Sequence, residues 1–525
     1  MPARQIDPVN EQPPQHDASH ERSEGSGGAT TPKPAKTPVA GRKAILTLLA
    51  AFLVAVLLGA LVSVALGPRA TLADPRSGDA TLIRDTEAAL GSKRGLQTLS
   101  VARVENGKPT FAGLGGLETD DGDSAPNPHT TYELGSITKT WTGMLLADAV
   151  KRGEMKLDAP LVTYLPELKG TPAGAATLEQ LATHTSGLPR LPEDDAWGTA
   201  LAVASNDNPY AGWDAERVIK AAGSAQLETP GTLAYSNLGM ALLGLAEARA
   251  AGASEWAELA QQRILTPLGM TETFIVDEDD ANSSDLATPH LANGQTTAGW
   301  GSTGYAPAGS STRTTAADMA TFAAAVIEGR APGAEALKPR AEASQGRKIG
   351  LAWFTDTDDS GSLVWHNGGT GGSSSIIALD PATKTGLVAL SNSATNIDHV
   401  GVGLLRPSAE APAPKTTPWS WFAVALAIVL ALAPWWRGWR AEHRIGLASA
   451  VIDAGAGAVL AWTRGAWNVV PEWLLGSILA VAFVGSVYAL MRMRDVPTWP
   501  VRGRITAIVS LVISLAILAF FALAL

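Results

Sequence analysis

The stretch Thr131-Tyr-Glu-Leu-Gly-Ser-Ile-Thr-Lys-Thr140 contains the residues from which the rest of the chain can be interpreted. Ser136 precedes Lys139 by three positions, and the segment that follows has helical periodicity. Residues i and i+3 share one helix face, so the hydroxyl and the amine can meet. A serine oxygen becomes a nucleophile when a base lies within about 2.6–3.2 Å. The spacing therefore indicates a serine hydrolase with lysine as its base, and the alternative is a capping serine beside a solvent-facing lysine.

The composition of the chain changes along its 525 residues. Residues 1–43 are polar and rich in Pro, Gly and Ser, which predicts a disordered tail because such a segment buries too little apolar surface to fold. The net charge of −10 gives no reason to expect a nucleic-acid partner. The chain has no cysteine, which excludes disulfides, thiolate catalysis and cysteine-based zinc sites.

Residues 44–66 form an uninterrupted apolar run, long enough to cross about 30 Å of hydrocarbon. Gly41-Arg42-Lys43 precedes it directly, so the positive-inside bias predicts a cytoplasmic tail and an extracytoplasmic continuation. The run is longer than a signal-peptide core of about 7–15 residues, which favours an uncleaved signal anchor. A cleaved signal peptide is the alternative, with Ser63-Val64-Ala65 as the cleavage site.

Residues 419–525 predict a transmembrane region of four further helices, which makes five spans in a multi-pass membrane protein. The apolar segments are Trp419–Trp436, Ile445–Thr463, Trp473–Met491 and Ile505–Leu525. Arginines are concentrated in the first and third connections, so those loops are expected inside and the large middle region outside. Asp453 lies within the second segment, where an acid is a candidate for transport. We favour a packing role for Asp453 because no charged partner is evident.

The middle region, residues 67–406, is long enough to fold on its own core, and residues 407–418 are a Pro/Ala-rich linker to the membrane region. Strand patterns lie near its two ends, as in 96–104 and 373–391, and helical patterns lie between them. This order predicts an α+β domain in which the first and last strands meet in one sheet.

Three motifs follow in chain order: Ser136-x-x-Lys139, Tyr235-x-Asn237 and His366-Asn-Gly368. With Leu181-Ala-Thr-His-Thr-Ser-Gly-Leu-Pro189 and Pro267-Leu-Gly-Met270, they resemble the class C β-lactamase and penicillin-binding-protein-like serine hydrolases over about residues 80–406. The resemblance implies a β-lactamase/transpeptidase-like fold, an α/β-type sandwich with an antiparallel sheet flanked by helices and a helical subdomain.

The resemblance also implies roles for residues of these motifs. Ser136 would form an acyl-enzyme, Lys139 would accept or relay its proton, and Tyr235 would act with Lys139 as base and then protonate the leaving group. Asn237 would orient Lys139 and the acyl group.

The third motif would form the opposite wall of the site, from His366 and Asn367 to Gly368 and Gly369. A protonated or donating His366 would help to lower the pKa of Lys139. Gly368 would let the strand approach the substrate, and the backbone N–H groups of Ser136 and Gly369 would bind the oxyanion.

The third motif departs from the Lys-Thr-Gly of the lactamases, because His366 stands where the lysine is expected. A literal Lys384-Thr-Gly386 is present, but its setting between two strand patterns predicts a hairpin turn. The loss of a fixed positive charge weakens the case for binding a β-lactam carboxylate, and the histidine resembles the esterase and D-amino-acid peptidase members more.

Several functions stay open from the sequence. The leading hypothesis is hydrolysis of an ester or amide outside the cytoplasm, with a small-molecule or peptide substrate such as a peptidoglycan-derived one, and without a cofactor or metal. True β-lactamase or D-Ala-D-Ala carboxypeptidase activity is an alternative. An acylatable sensor coupled to the membrane helices is an alternative of another class. His184 is interpreted as structural, and His129 and His290 as ordinary surface or packing residues.

Overall fold

A computed structural model describes most of the chain. The residues described are 42–66, 71–117, 124–192, 198, 201–202, 205–282, 285–344, 346–359, 361–406, 418–440, 443–465, 467, 470–471, 473–500 and 503–522. The predicted tail (residues 1–43) and linker (407–418) lie almost entirely outside these ranges. The helix predicted as the first membrane span begins at Arg42.

The middle region, residues 67–406 of the sequence analysis, is built on a nine-stranded sheet, and a separate three-stranded sheet lies beside it. The strands are β1 Arg76–Gly78, β2 Thr98–Glu105, β3 Lys108–Gly115, β4 Tyr132–Glu133, β5 Phe274–Ile275, β6 Thr312–Thr314, β7 Ala341–Ser344, β8 Arg347–Ile349, β9 Phe354–Asp358, β10 Gly361–Gly369, β11 Ser374–Asp380 and β12 Thr385–Ser391. The large sheet has the order β1-β3-β2-β12-β11-β10-β9-β8-β7, and the small one β4-β6-β5. Neighbouring strands are antiparallel throughout both sheets.

The expected meeting of the first and last strands is confirmed. β2 pairs with β12 over seven residues, from Glu105 opposite Thr385 to Leu99 opposite Ser391. The turn between β2 and β3 is made by Asn106 and Gly107, both with positive φ, as a tight hairpin requires. The literal Lys384-Thr-Gly386 also lies at a hairpin, because Lys384 has a φ of 54° at the start of β12.

The central strands are apolar on both faces because helices cover both sides of the sheet. In β11, Ile376 and Ala378 belong to one hydrophobic core, and Ile377 and Leu379 belong to the other. A strand buried on both faces reads as a continuous apolar run rather than an alternating one. This explains why the sequence pattern located these strands but did not assign a solvent face to them.

One helix precedes the middle region, and the others belong to the middle region or to the C-terminal region. They are α1 Arg42–Leu66, α2 Ala80–Leu90, α3 Thr138–Lys151, α4 Pro172–Ala175, α5 Leu178–Ala182, α6 Ala215–Ser224, α7 Asn237–Ala251, α8 Trp256–Ala260, α9 Thr266–Leu268, α10 Ala316–Ile327, α11 Asp398–Leu405, α12 Pro418–Arg440, α13 Arg444–Arg464, α14 Trp473–Arg492 and α15 Arg504–Ala522. α2 and α11 pack on one face of the large sheet, and α10 packs on the other.

α3 is the central helix of the middle region, and it begins just after a 3₁₀ turn, Gly135–Ile137. Every residue from Thr138 to Ala149 is buried, so α3 has no solvent face. α3 therefore occupies a core position although it carries polar residues such as Lys139 and Asp148. The alternative of a solvent-facing lysine is therefore wrong, since the exposed fraction of Lys139 is 0%.

The prediction of five membrane spans is corrected to four in the part of the chain that the structure describes. Helices long and apolar enough to cross a bilayer are Ile45–Val64, Trp421–Arg440, Arg444–Arg464 and Trp473–Asp495. The fifth segment is helical, but its described side chains form only the shorter apolar helix Arg504–Ala516. The part of α15 whose side chains are described is thus shorter than the roughly 20 residues that a span requires.

Small residues bring the membrane helices close together, as expected for the segment around Asp453. A Cβ added to Gly457 of α13 would lie 2.7 Å from the Cβ of Leu430 on α12. Such close approach is typical of helices that pack through small residues in a membrane.

Candidate active site

Ser136 and Lys139 meet at the start of α3. Lys139 Nζ lies 2.9 Å from Ser136 Oγ and 2.5 Å from the carbonyl oxygen of Ala308, to which it donates. Ser136 is partly exposed and Lys139 is fully buried. The amine therefore contacts the serine from the protein interior. This is the contact that a serine needs in order to lose its proton to a neighbouring base.

The surroundings of Lys139 favour its neutral form. Burial lowers the pKa of the amine well below its usual value, and the positive charge of Arg190 lowers it further. A neutral amine can accept a proton, so the geometry and the charge state of Lys139 agree. The sequence predicted that burial or a cation would be required, but it named His366 rather than Arg190 as the neighbour.

Tyr235 lies beside this pair, at the turn that leads into α7. Its phenol lies close enough to the Ser136 side chain to interact with it, and Lys139 Nζ lies 5.0 Å from the centre of its ring. Burial raises the pKa of the Tyr235 phenol above its usual value, so it is protonated near neutral pH and can donate to an oxygen or nitrogen. Ser136, Lys139 and Tyr235 thus form one cluster; the helical spacing predicted the first pair, and the family resemblance implied that Tyr235 joins it.

Asn237 is buried near the cluster but does not contact Lys139. Its Nδ2 donates to the Tyr210 hydroxyl at 2.8 Å, and its Oδ1 has no hydrogen-bond partner among the described residues. Among the described residues, no hydrogen bond joins Asn237 to Lys139, so the expected role of orienting Lys139 stays a prediction. Tyr210, which sequence reasoning missed, lies on a loop whose tertiary placement no local pattern encodes.

His366 lies on β10 and is fully buried in the opposite wall. Burial and the nearby Lys139 lower the pKa of the imidazole to about 3, so it is neutral near pH 7. Its Nδ1 lies 2.6 Å from the carbonyl oxygen of Asn367. Because a carbonyl only accepts, Nδ1 carries the proton and Nε2 is left as an acceptor. Of the two forms considered in the sequence analysis, protonated or donating, the neutral donating ring fits these contacts, and it donates to the backbone of Asn367.

Asn367 points away from the nucleophile, as alternation along a strand requires. Its Nδ2 donates to Asp398 Oδ2 at 2.8 Å, at the start of α11. Asn367 therefore fixes the strand to the helix behind it and does not line the site. Its place in the motif had suggested a substrate-binding residue.

Gly368 and Gly369 bring β10 against the serine turn. A Cβ on Gly368 would lie 2.1 Å from the Leu134 carbonyl oxygen and 3.2 Å from the Ser136 nitrogen, so only glycine fits there. Gly369 is exposed, and its backbone nitrogen would lie 2.6 Å from a Cβ on Gly135. The two backbone nitrogens named in the sequence analysis, those of Ser136 and Gly369, therefore lie on facing segments.

His184 is part of the site, because it forms hydrogen bonds with the segment that carries Tyr235. Its carbonyl oxygen accepts from Ala234 N at 2.7 Å, and its Nδ1 accepts from Ser236 N at 3.2 Å. Its ring lies 4.4 Å from that of Tyr235. A positive φ of 56° places it in this position, a conformation that histidine adopts more readily than most residues. The structural interpretation of His184 is consistent with these contacts, and the structure that it supports is the segment carrying Tyr235.

Two further groups near the site had no signal in the sequence. The Arg190 guanidinium lies 5.5 Å from the centre of the Tyr235 ring. Glu133 is buried behind the serine turn, where Arg313 Nη1 lies 3.3 Å from its Oε1 and Thr370 donates to its Oε2. Arg190 and Glu133 are visible in the sequence as charged residues next to motif positions. A lone charge in a sequence does not show whether its side chain is buried or near the site.

The described residues do not bring three His, Asp or Glu side chains together in a way that would hold a metal ion. His184 and His366 are the two imidazoles nearest the cluster, and each uses Nδ1 in a hydrogen bond to the backbone. The polar groups at the site are those of acyl transfer.

Comparison with known proteins agrees with this geometry. A family model described as Beta-lactamase matches residues 83–405. A Beta-lactamase of Escherichia coli (strain K12) is 30% identical over 196 residues, which is 37% of this chain and 48% of that protein. The D-alanyl-D-alanine-carboxypeptidase/endopeptidase AmpH of the same strain is 32% identical over 196 residues, 35% of this chain and 47% of that protein. The chain thus spans about half the length of these curated relatives.

Solved structures extend the likeness over the whole hydrolase region. D-alanine carboxypeptidase AmpC from Burkholderia cenocepacia is 26% identical with a TM-score of 0.51, covering 62% of this chain and 99% of that one. A class C beta lactamase from Rhodobacter sphaeroides is 24% identical with a TM-score of 0.52, covering 61% of this chain and 98% of that one, and it shows the shared fold. With the family model matching more than half of its length, the chain belongs to the Beta-lactamase family of serine hydrolases.

Proposed function

We propose that the chain is a membrane-anchored hydrolase that cleaves an ester or amide through an acyl-enzyme on Ser136. The observation that carries this proposal is the 2.9 Å contact between Ser136 Oγ and a fully buried Lys139 Nζ, with the Tyr235 phenol beside the same hydroxyl. Lys139 takes the proton of Ser136 as Oγ attacks the carbonyl carbon. Tyr235 then protonates the leaving group as its bond to that carbon breaks, and the phenolate regains a proton from the protonated Lys139.

The oxyanion of the tetrahedral intermediate is assigned to the backbone N–H groups of Ser136 and Gly369. The approach of β10 to the serine turn supports this assignment, since Gly368 permits contact between the two segments. Donors of this kind contribute a few kcal/mol to transition-state stabilisation. In deacylation the same Lys139 and Tyr235 can activate a water in place of the leaving group.

For the substrate we propose a small-molecule or peptide ester or amide, with cell-wall peptides carrying D-amino acids among the candidates. The named activity of the AmpH relative supports the peptide candidates. The neutral His366 argues against a β-lactam as the preferred substrate, since it offers an acceptor where the lactamase motif has a lysine.

For the domains and location we propose a catalytic region at 67–406 outside the cytoplasm, a cytoplasmic tail at 1–43 and a linker at 407–418. Four helices with the length and composition of membrane spans support attachment to a bilayer. The family match over 83–405 supports the extent of the catalytic region.

The proposal is tested with the purified full chain in detergent. We expect a fluorophosphonate to label the protein, p-nitrophenyl esters to be turned over steadily, and Ser136→Ala to abolish both. Labelling that survives Ser136→Ala would exclude Ser136 as the nucleophile. A fluorescent penicillin separates the alternatives, because rapid turnover of it indicates a lactamase and an adduct that persists for hours indicates a sensor.

A further inference from the structure

The wall formed by β10 does not offer a positive charge to a substrate. His366 is neutral near pH 7, and its free Nε2 is a hydrogen-bond acceptor without a partner among the described residues. An acceptor favours an N–H or O–H group of the substrate and repels a carboxylate. An anionic substrate group would therefore have to bind elsewhere in the site.

Arg190 supplies a cation on the other side of Tyr235. Its carbonyl oxygen accepts from Asn237 N at 3.1 Å and from Leu238 N at 3.2 Å, which fixes its backbone to the first turn of α7. Its guanidinium lies 5.5 Å from the centre of the Tyr235 ring. Stacking on an aromatic ring leaves the N–H edge of a guanidinium available for a planar anion.

The side chain of Arg190 is exposed, and no carboxylate of the described residues forms an ion pair with it. By contrast, Arg249 and Arg263 in the same helical part of the chain pair with Glu167 and Glu154 at 2.7 and 2.6 Å. An exposed guanidinium beside a reactive phenol is placed to bind a carboxylate through two parallel hydrogen bonds.

We propose that Arg190 binds a carboxylate on the leaving-group side of the substrate. The inference rests on the proposed function, in which Tyr235 protonates the leaving group, because Arg190 stacks on that same residue. The bond from the acyl carbon to the leaving oxygen or nitrogen breaks beside Tyr235, and the carboxylate of the departing fragment lies against the guanidinium. The preferred substrate class is then an ester or amide whose leaving fragment is an acid.

A matched pair of esters tests this assignment on the full chain in detergent. The pair is 4-acetoxybenzoate, whose leaving group is anionic, and 4-acetoxybenzamide, its neutral isostere, with each kcat/KM normalised to the hydroxide-catalysed rate. We expect the wild type to prefer the anionic ester by roughly 10- to 100-fold, the effect of hydrogen bonds to a charged group. Arg190→Ala should bring the ratio close to one, mainly through KM, and Arg190→Lys should keep part of it.

Arg217→Ala is the control, because the Arg217 guanidinium also stacks on an aromatic ring, 4.1 Å from that of Trp213. The control should keep the wild-type ratio. Equal losses for both esters in Arg190→Ala, with a shifted pH profile, would overturn the proposal and leave Arg190 as a group that tunes Lys139. A wild-type ratio near one would also overturn it. Absence of any hydrolysis dependent on Ser136 would instead overturn the proposed function.

Discussion

At the scale of single residues, the charge of Lys139 decides whether Ser136 can react. The amine is fully buried, and its pKa is held well below its usual value by burial and by Arg190. Because the neutral amine is the base, acylation by a fluorophosphonate should rise with pH through that lowered pKa and then level off. Lys139→Arg keeps a permanent positive charge and should slow acylation about 10²- to 10⁴-fold, the range for loss of a general base.

The check on this prediction is the rate of acylation measured from pH 5 to 10. Lys139→Ala should be slowed by a similar factor and lose the pH dependence. An Arg variant that acylates at the wild-type rate would exclude Lys139 as the proton acceptor.

The contribution of His184 to catalysis can be measured separately from its contribution to stability. Its Nδ1 accepts from Ser236 N, and its ring packs on Tyr235. His184→Ala leaves the Ser236 N–H unpaired and should lower kcat about 10- to 100-fold and stability by about 1–3 kcal/mol. His184→Asn should recover much of both losses, because asparagine tolerates a positive φ and offers an oxygen acceptor.

Kinetics and thermal unfolding of the two His184 variants check this prediction. If His184→Ala lost stability while kcat stayed at the wild-type value, the residue would support the fold and not the position of Tyr235. An Asn variant no better than Ala would show that ring packing matters more than the hydrogen bond.

At the scale of elements, the close packing of β10 on the serine turn sets the geometry of the site. A Cβ on Gly368 would lie 2.1 Å from the Leu134 carbonyl oxygen and 2.2 Å from Ser375 Oγ, so the strand would have to move away. Gly368→Ala should therefore lower kcat/KM at least about 100-fold, since small displacements of catalytic groups are costly. A Cβ on Gly369 would meet nothing closer than the Ser373 carbonyl oxygen at 3.8 Å.

Gly369→Ala is thus the matched control, one residue away on the same strand. It keeps the backbone N–H and should retain kcat/KM within about threefold. Ester hydrolysis by the two variants, together with their unfolding temperatures, is the measurement. Equal activities in the two variants would show that the contact between β10 and the serine turn is not needed for catalysis.

The elements also show what the sequence can and cannot predict. Helical spacing was sufficient to bring Ser136 and Lys139 together, because they lie one turn apart, and the family resemblance added Tyr235 to the pair. The apolar runs located β11 and β12, and their order predicted the pairing of β12 with β2. These features follow from local periodicity.

What the sequence did not predict depends on contacts between distant segments. Arg190 joins the site because its carbonyl oxygen accepts hydrogen bonds from the first turn of α7, about 50 positions along the chain. The neutral state of His366 follows from its complete burial, and the partner of Asn237 is Tyr210 on a separate loop. No pattern of neighbouring residues encodes such packing, so charge states and partners required the three-dimensional structure.

At the scale of the whole molecule, the hydrolase region and a membrane helix are joined by a buried amide. Asn293 Nδ2 donates to the Thr463 carbonyl oxygen at 3.0 Å and lies 3.4 Å from that of Gly465, at the C-terminal end of α13. The last carbonyls of a helix lack partners within the helix, and here a side chain of the hydrolase region supplies one. This contact supports a topology in which the end of α13 and the catalytic region share one side of the bilayer.

That topology leads to a prediction about accessibility that the cysteine-free chain makes simple to test. Asp279, which is exposed in the hydrolase region, and Asp495, which is exposed after α14, are each replaced by cysteine in turn. Each span reverses the side of the membrane, so the connection after α14 should lie opposite the end of α13. A membrane-impermeant maleimide should label Asp279→Cys in intact cells, and Asp495→Cys only after permeabilisation. Labelling of both in intact cells, with the unsubstituted chain as the blank, would contradict the proposed arrangement of the spans.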